Sequence, residues 1–289
     1  MRKPANIVYL NGLYLPVEEA TISVMDRGFL FGDGVYEVIP VFGNKLLRLD
    51  EHLNRLHNSL HRISLPDPHN NEEWAGIFSE LLKKNDGEDR AVYLQISRGV
   101  YAKRDLTIKA GHAPTIFAMV LQVTPADIEI VSAGIAVITV DDFRWNACDI
   151  KSTSLVASVM LKQQAVAAEV DDAILIRNGV VSEGTASNVF LVKDGVILTP
   201  PTGSQLLPGI TRDLVIEIAE NSTIVVEQRE IKEAELYSAD EIWMTSSTRE
   251  IAPVISLNGK AVGSGSAGPM WKRVMDLYQR YKQQLRDGS

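Results

Sequence analysis

A lysine and a glutamate set thirty-two positions apart are the residues of this chain best suited to do chemistry together. Glu183 lies in Val181-Ser182-Glu183-Gly184-Thr185-Ala186-Ser187-Asn188-Val189-Phe190, a carboxylate in a turn of small residues between two segments that read as strands. Lys151 lies in Cys148-Asp149-Ile150-Lys151-Ser152-Thr153, just before a helical pattern. An amine condenses with an aldehyde to form a Schiff base, and an anion keeps a pyridine nitrogen protonated. The two residues therefore suit the two ends of a pyridoxal phosphate ring. Periodicity alone also allows an ordinary surface lysine and a surface Ser-Glu-Gly turn.

A phosphate needs donors, and three stretches offer them. Leu206-Leu207-Pro208-Gly209-Ile210-Thr211-Arg212-Asp213 opens a helix, whose free N–H groups and dipole favour a dianion, although a plain capped helix fits the same residues. Thr245-Ser246-Ser247-Thr248 follows a strand pattern and supplies hydroxyls, which equally suit a turn. Arg55, in Glu51-His52-Leu53-Asn54-Arg55-Leu56, sits beside an apolar helical stripe, where a guanidinium could fork onto phosphate oxygens.

The elements that must position these groups alternate irregularly. Ile7 to Leu10 and Leu13 to Pro16 flank Asn11-Gly12, and Val35 to Phe42 and Lys45 to Leu49 flank Gly43-Asn44, two hairpin signals. Asp50 reads as an N-cap, with Leu53, Leu56, Leu60 and Ile63 at helical spacing behind it. His52, His57 and His61 share that helix and read as partly exposed on its polar side, not as metal ligands. Glu72 to Lys84 is a further helix, and Ala91 to Ser97 and Thr115 to Val123 are apolar, β-rich runs. Beyond a polar stretch the expected elements are strands at Gly134–Val140, Ala173–Arg177 and Glu241–Thr245, and helices at Leu155–Ala168, Ile210–Ala219 and Met270–Leu285. This order fits neither a doubly wound sheet nor a β/α barrel. It predicts an α+β chain of two domains: a small N-terminal domain over 1–123, a linker over 124–133, and a larger domain with a mostly β core over 134–289. A cofactor cleft between them is where such sites commonly form.

Composition sets outer limits. The 289 residues carry 45% hydrophobic and 23% charged side chains, ordinary for a globular protein. The net charge of −8, with no basic block, argues against nucleic acid or an anionic membrane as partner. No apolar run approaches the ~20 residues of a membrane span, and no signal-peptide core precedes the first strand pattern. One cysteine, Cys148, excludes an intrachain disulfide and fits a cytoplasmic location. No Cys/His cluster has metal spacing.

Taken together, these segments resemble the fold-type IV pyridoxal phosphate enzymes, the class IV aminotransferases. Arg144-Trp145-Asn146-Ala147-Cys148-Asp149-Ile150-Lys151-Ser152 is very like the family's lysine segment, and Glu183-Gly184-x-x-Ser187-Asn188 is like its glutamate segment. The likeness runs over almost the whole chain. It implies that Lys151 forms the Schiff base and that Glu183 pairs with the ring nitrogen. It implies phosphate contacts from Arg55, Ile210, Thr211, Ser246 and Ser247, and Leu207 against the ring face. Asp26-Arg27-Gly28-Phe29-Leu30-Phe31-Gly32-Asp33-Gly34-Val35-Tyr36-Glu37-Val38 matches the family's N-terminal motif in the Val-Tyr-Glu-Val form of D-amino-acid members, with Tyr36 near the substrate. Those members hold the substrate carboxylate with an Arg-x-His pair supplied by the partner subunit. Here the loop reads Arg98-Gly99-Val100-Tyr101-Ala102-Lys103-Arg104-Asp105-Leu106, with Arg104 able to supply the cation, Lys103 as a second candidate and no histidine in register. The resemblance thus implies a homodimeric transaminase exchanging the amino group of a D-amino acid, such as D-alanine, with a 2-oxo acid. Branched-chain L-aminotransferase, aminodeoxychorismate lyase and amine transaminase activities share the fold.

Overall fold

The computed structural model describes residues 6–123 and 127–288, so the expected linker lies partly outside the described residues. The chain falls into two compact units. One is made of the described residues of Met1–Thr124 with the short segment Ile150–Leu155, and the other of those in Pro125–Asp149 and Val156–Ser289.

The first unit contains strands β1 (Ile7–Leu10), β2 (Leu13–Pro16), β3 (Gly34–Phe42), β4 (Lys45–Leu46), β5 (Asp89–Ser97) and β6 (Thr115–Gln122). Its helices are α1 (Arg27–Phe31), α2 (Leu49–Arg62) and α3 (Asn71–Lys83). The strands form one antiparallel sheet in the order β2-β1-β6-β5-β3-β4. Both hairpin signals hold: Asn11-Gly12 and Gly43-Asn44 have positive φ at both turn positions, the twist that closes antiparallel strands tightly. Alternate residues of the central strands, Val35 and Ile39 of β3 and Val92, Leu94 and Ile96 of β5, face Leu53, Leu56 and Leu60 of α2 and Trp74 and Phe78 of α3. Each such side chain contributes about 1.5–3 kcal/mol on burial. Helix α2 begins one residue before the expected cap: Arg48 is the N-cap, and Asp50 lies in the first turn, where its charge meets the positive end of the dipole.

The segment Ile150–Leu155 is bound to the first unit, although the sequence reading placed all residues from 134 onward in the second domain. The start of β3 is an open edge, because β4 pairs only with its far end at Val41 and Phe42. Ser152 bridges Val35 there, Tyr36 N donates to Lys151 O at 2.9 Å, and Thr153 N donates to Gly34 O at 3.0 Å. Ile150 packs on the same apolar core.

The second unit contains β7 (Ile135–Asp141), β8 (Asp172–Arg177), β9 (Val180–Gly184), β10 (Asn188–Lys193), β11 (Val196–Thr199), β12 (Val226–Gln228), β13 (Glu241–Ser246), β14 (Glu250–Leu257) and β15 (Lys260–Ala261). Helices α4 (Ile128–Ser132), α5 (Val156–Ala167), α6 (Ile210–Asn221), α7 (Glu233–Leu236) and α8 (Pro269–Asp287) complete it. The strands form a mixed sheet in the order β12-β11-β10-β13-β14-β7-β8-β9, with β15 on β14. The unit is α+β, with a sheet core of Val137, Ile174, Val189, Leu191, Met244 and Val254. Among the described residues no helix is long and apolar enough to cross a membrane.

Register gathers one end of this sheet. Asn188 at the start of β10 pairs with Thr245 near the end of β13, and Ser246 pairs with Glu250 at the start of β14. The turn from Gly184 to Ser187 closes at the same end, through a Gly184 N to Ser187 O hydrogen bond of 2.6 Å.

Candidate active site

The expected site residues divide between the two units. Tyr36, Arg55, Arg104 and Lys151 belong to the first, and Glu183, Leu207, Ile210, Thr211, Ser246 and Ser247 to the second.

On the first unit, Lys151 Nζ lies 4.2 Å from the centroid of the Tyr36 ring. Its backbone is held on both sides: the carbonyl by Tyr36 N, and the amide by Ser59 Oγ at 3.2 Å. The lysine is therefore set by a rigid strand edge. Tyr36 also stacks on Tyr93 at 5.8 Å. Arg55 is buried and forks onto Glu37, with Nε to Oε1 at 2.8 Å and Nη2 to Oε2 at 2.7 Å. His52 Nδ1 shares Glu37 Oε2 at 2.8 Å. His52 is only 1% exposed, which corrects the expectation that it lay partly exposed on the polar side of α2. Burial opposes ionisation of Glu37, yet Arg55 and His52 together hold its carboxyl far below the usual range. Burial lowers His52, the Glu37 carboxylate opposes that, and the charges of Arg55 and Lys151 lower it further. His52 Nε2 is buried without a hydrogen-bond partner. Arg104 is exposed on the loop after β5, its guanidinium 4.8 Å from the Phe31 ring.

On the second unit, Glu183 stands at the penultimate position of β9, 5% exposed. Arg144 Nη1 donates to Oε1 at 2.6 Å and Leu207 N donates to Oε2 at 3.0 Å. Arg144 is itself fixed by Asp142, through Nε at 2.9 Å and Nη2 at 3.0 Å. Asp142 also takes Ser182 Oγ at 2.9 Å and pairs with Arg177 at 3.0 Å. Burial pushes the Glu183 carboxyl above its ordinary value, and the charge and hydrogen bond of Arg144 oppose that push. A carboxylate so balanced is a strong acceptor for a ring N–H.

Asn188 Nδ2 donates to Leu207 O at 2.9 Å, tying the 207–211 stretch to the gathered end of the sheet. Helix α6 starts at Ile210 behind Gly209, which provides no side-chain cap, so the first amides of Ile210 and Thr211 lack intrahelical acceptors. Ser246 and Ser247 are half-buried in the β13–β14 turn. Two buried hydroxyls beside them, Ser187 Oγ and Thr245 Oγ1, have no hydrogen-bond partner. Orphaned hydroxyls, an uncapped helix start and a buried carboxylate on one sheet end fit a pyridine ring bearing a phosphate.

Glu37, His52, Asp142 and Arg144 carry no role in the sequence reading. Glu37 was findable: it shares the inward phase of β3 with Val35 and Ile39, and a carboxylate in that phase requires a cation. Arg144 lies inside the recognised lysine segment, but nothing in its spacing points to Glu183.

Comparison with known proteins identifies the family. The family described as Amino-transferase class IV matches residues 34–257. The D-alanine aminotransferase of Bacillus licheniformis is 40% identical over 94% of this chain and 95% of that protein. The D-alanine aminotransferase of Staphylococcus haemolyticus is 34% identical over 95% and 97% respectively. The crystal structure of the T.th. branched-chain amino acid aminotransferase with pyridoxamine 5'-phosphate superposes with a TM-score of 0.90 at 29% identity, covering 98% of this chain and 95% of that one.

Proposed function

Because the chain belongs to the class IV aminotransferase family, we propose that it is a pyridoxal phosphate-dependent transaminase that moves the amino group of a D-amino acid, such as D-alanine, to a 2-oxo acid, such as 2-oxoglutarate, by a ping-pong mechanism. The observation that carries the reaction class is the buried Glu183, held between Arg144 and the Leu207 amide. The D-substrate is supported by the near full-length likeness to D-alanine aminotransferases.

When bound, the cofactor supplies an aldehyde for the amino group and an electron sink for the substrate's Cα–H bond. Lys151 Nζ would hold the aldehyde carbon and, as a free amine, would accept the substrate's Cα proton and return it. Glu183 would hold the proton on the ring nitrogen, and Leu207 would serve the ring face. Ile210 and Thr211, through backbone amides and the Thr211 hydroxyl, bind the phosphate with Ser246 and Ser247. Arg55, paired with Glu37, would be a further phosphate ligand. Tyr36 faces the substrate, and Arg104 holds its carboxylate across a homodimer. The net charge of −8 and single cysteine favour a cytoplasmic setting without nucleic acid or membrane partners.

The branched-chain reading keeps one observation in its favour, the fold match to a branched-chain enzyme at a TM-score of 0.90. The test is the absorbance of the bound cofactor after separate additions of D-alanine, D-glutamate and L-leucine. Conversion to the pyridoxamine form by the D-amino acids alone is expected. Conversion by L-leucine alone overturns the D-substrate.

A further inference from the structure

We infer that Arg27 is a positioning residue for the substrate-binding loop: it grips the backbone beside Arg104 and so presents that guanidinium. The inference rests on the role given to Arg104 above.

Arg27 opens α1 and is 3% exposed. Its Nε donates to Asp33 Oδ2 at 2.8 Å, its Nη1 to Asp105 O, and its Nη2 to Leu106 O at 3.3 Å. Those carbonyls belong to the two residues directly after Arg104. Its guanidinium also lies over two rings, 4.9 Å from Phe31 and 4.7 Å from Tyr101. Phe31 is the ring against which Arg104 rests at 4.8 Å. One buried cation thus fixes two successive peptide planes of the loop and the aromatic seat of its exposed arginine.

The grip is anchored from below. Asp26 accepts Gly28 N at 2.7 Å, Ser97 Oγ at 2.7 Å and Thr115 Oγ1 at 2.6 Å, which pins the start of α1 to the ends of β5 and β6, the strands on either side of the loop. Arg27 N donates to Gly99 O at 2.9 Å. Asp33 also takes a two-pronged contact from Arg98, at 2.8 and 3.0 Å, so it keeps a cation when Arg27 is replaced. Across the loop, Tyr101 Oη donates to Lys109 O at 2.9 Å. A lysine at 27 could neutralise Asp33 but could not fork onto two carbonyls.

The experiment compares holoenzyme of wild type, Arg27→Lys, Arg104→Gln and the double variant. Trypsin reads the loop directly, because Lys103, Arg104 and Lys109 are cleavage sites within it. Arg27→Lys is expected to speed cleavage there by about tenfold and to raise KM for D-alanine by about tenfold, with kcat changed by less than about threefold, as for lost hydrogen bonds to a charged group. In the Arg104→Gln background the same substitution is expected to add nothing to KM, because its effect runs through Arg104. Unchanged cleavage in Arg27→Lys overturns the inference, and so does an equal KM rise in both backgrounds. An unchanged KM in Arg104→Gln alone overturns the role of Arg104, and is told apart because the tryptic pattern of Arg27→Lys does not depend on that role. Arg27→Met provides a second variant if Arg27→Lys fails to fold.

Discussion

The Arg144 guanidinium holds Glu183 Oε1 at 2.6 Å from one side while two of its other nitrogens hold Asp142. The carboxylate proposed to meet a ring nitrogen is therefore set by an arginine that is itself oriented by a second carboxylate. Replacing Arg144 by Met leaves only the Leu207 amide to offset the desolvation of Glu183, so its carboxyl moves further up. Breaking a buried pair from one side costs about 3–5 kcal/mol. We expect Arg144→Met to unfold at lower denaturant and its apoprotein to bind pyridoxal phosphate more weakly. Unfolding and titration curves matching wild type would remove Arg144 from the site.

Acid sensitivity has a definite sign. Burial works against the Asp142 carboxyl, but its bonds to Arg144 and Ser182 bring it to about 2 from an ordinary 3.8. A folded-state value below the unfolded one stabilises the fold above the unfolded value, and the gain disappears as pH falls through the folded one. The stabilisation, on the order of 2 kcal/mol, is thus present above about pH 4 and lost on the way to pH 2. Asp142→Asn should lower stability at neutral pH and flatten its fall in acid, read from denaturant midpoints across that window.

Asp172 ties two turns that flank the candidate phosphate region. Thr185 Oγ1 donates to its Oδ1 at 2.6 Å and Arg249 Nη1 to its Oδ2 at 2.7 Å. Asp172→Asn keeps a partner for Thr185 but removes the ion pair. Because the Arg249 side chain is 38% exposed, the cost to folding is only about 1 kcal/mol. The larger expected effect is faster loss of cofactor on dialysis. A dialysis rate equal to wild type would show that the two turns are set independently.

Gly184 leaves no room for a side chain. A Cβ there would collide with Ser187 Oγ and Met244 Cε. Gly184→Ala should destabilise by about 1–3 kcal/mol through overpacking and displace Glu183 beside it. Thermal unfolding of the apoprotein gives the first quantity, and cofactor titration gives the second.

Hairpins, helices and the α+β character were legible because each rests on a local pattern: Asn-Gly pairs, leucines at helical spacing, alternating apolar residues. The site was legible only in part. Lys151, Glu183 and the α6 start stand in short segments whose order marks them as candidates. Their supports do not, because Arg144 reaches Glu183 across thirty-nine positions and Asp172 reaches Arg249 across seventy-seven. His52 shows a subtler loss. Its helix position reads as polar and wet, yet Glu37, the one charged residue in the inward phase of β3, draws it and Arg55 into the core. Pattern reading treats each element alone, whereas a buried charge is settled between elements.

The short segment bearing Lys151 has a consequence for how such a chain can evolve. The chain leaves the second unit after Asp149 and returns to it at Val156, and the residues between complete the β3 edge of the first. Neither unit is a continuous stretch of gene. A crossover near residue 124 that exchanged the N-terminal portion with a relative would lay a foreign β3 against the resident lysine segment. Successful chimaeras are therefore expected to carry Ile150–Leu155 with the N-terminal portion, and shuffling at a single point to be selected against.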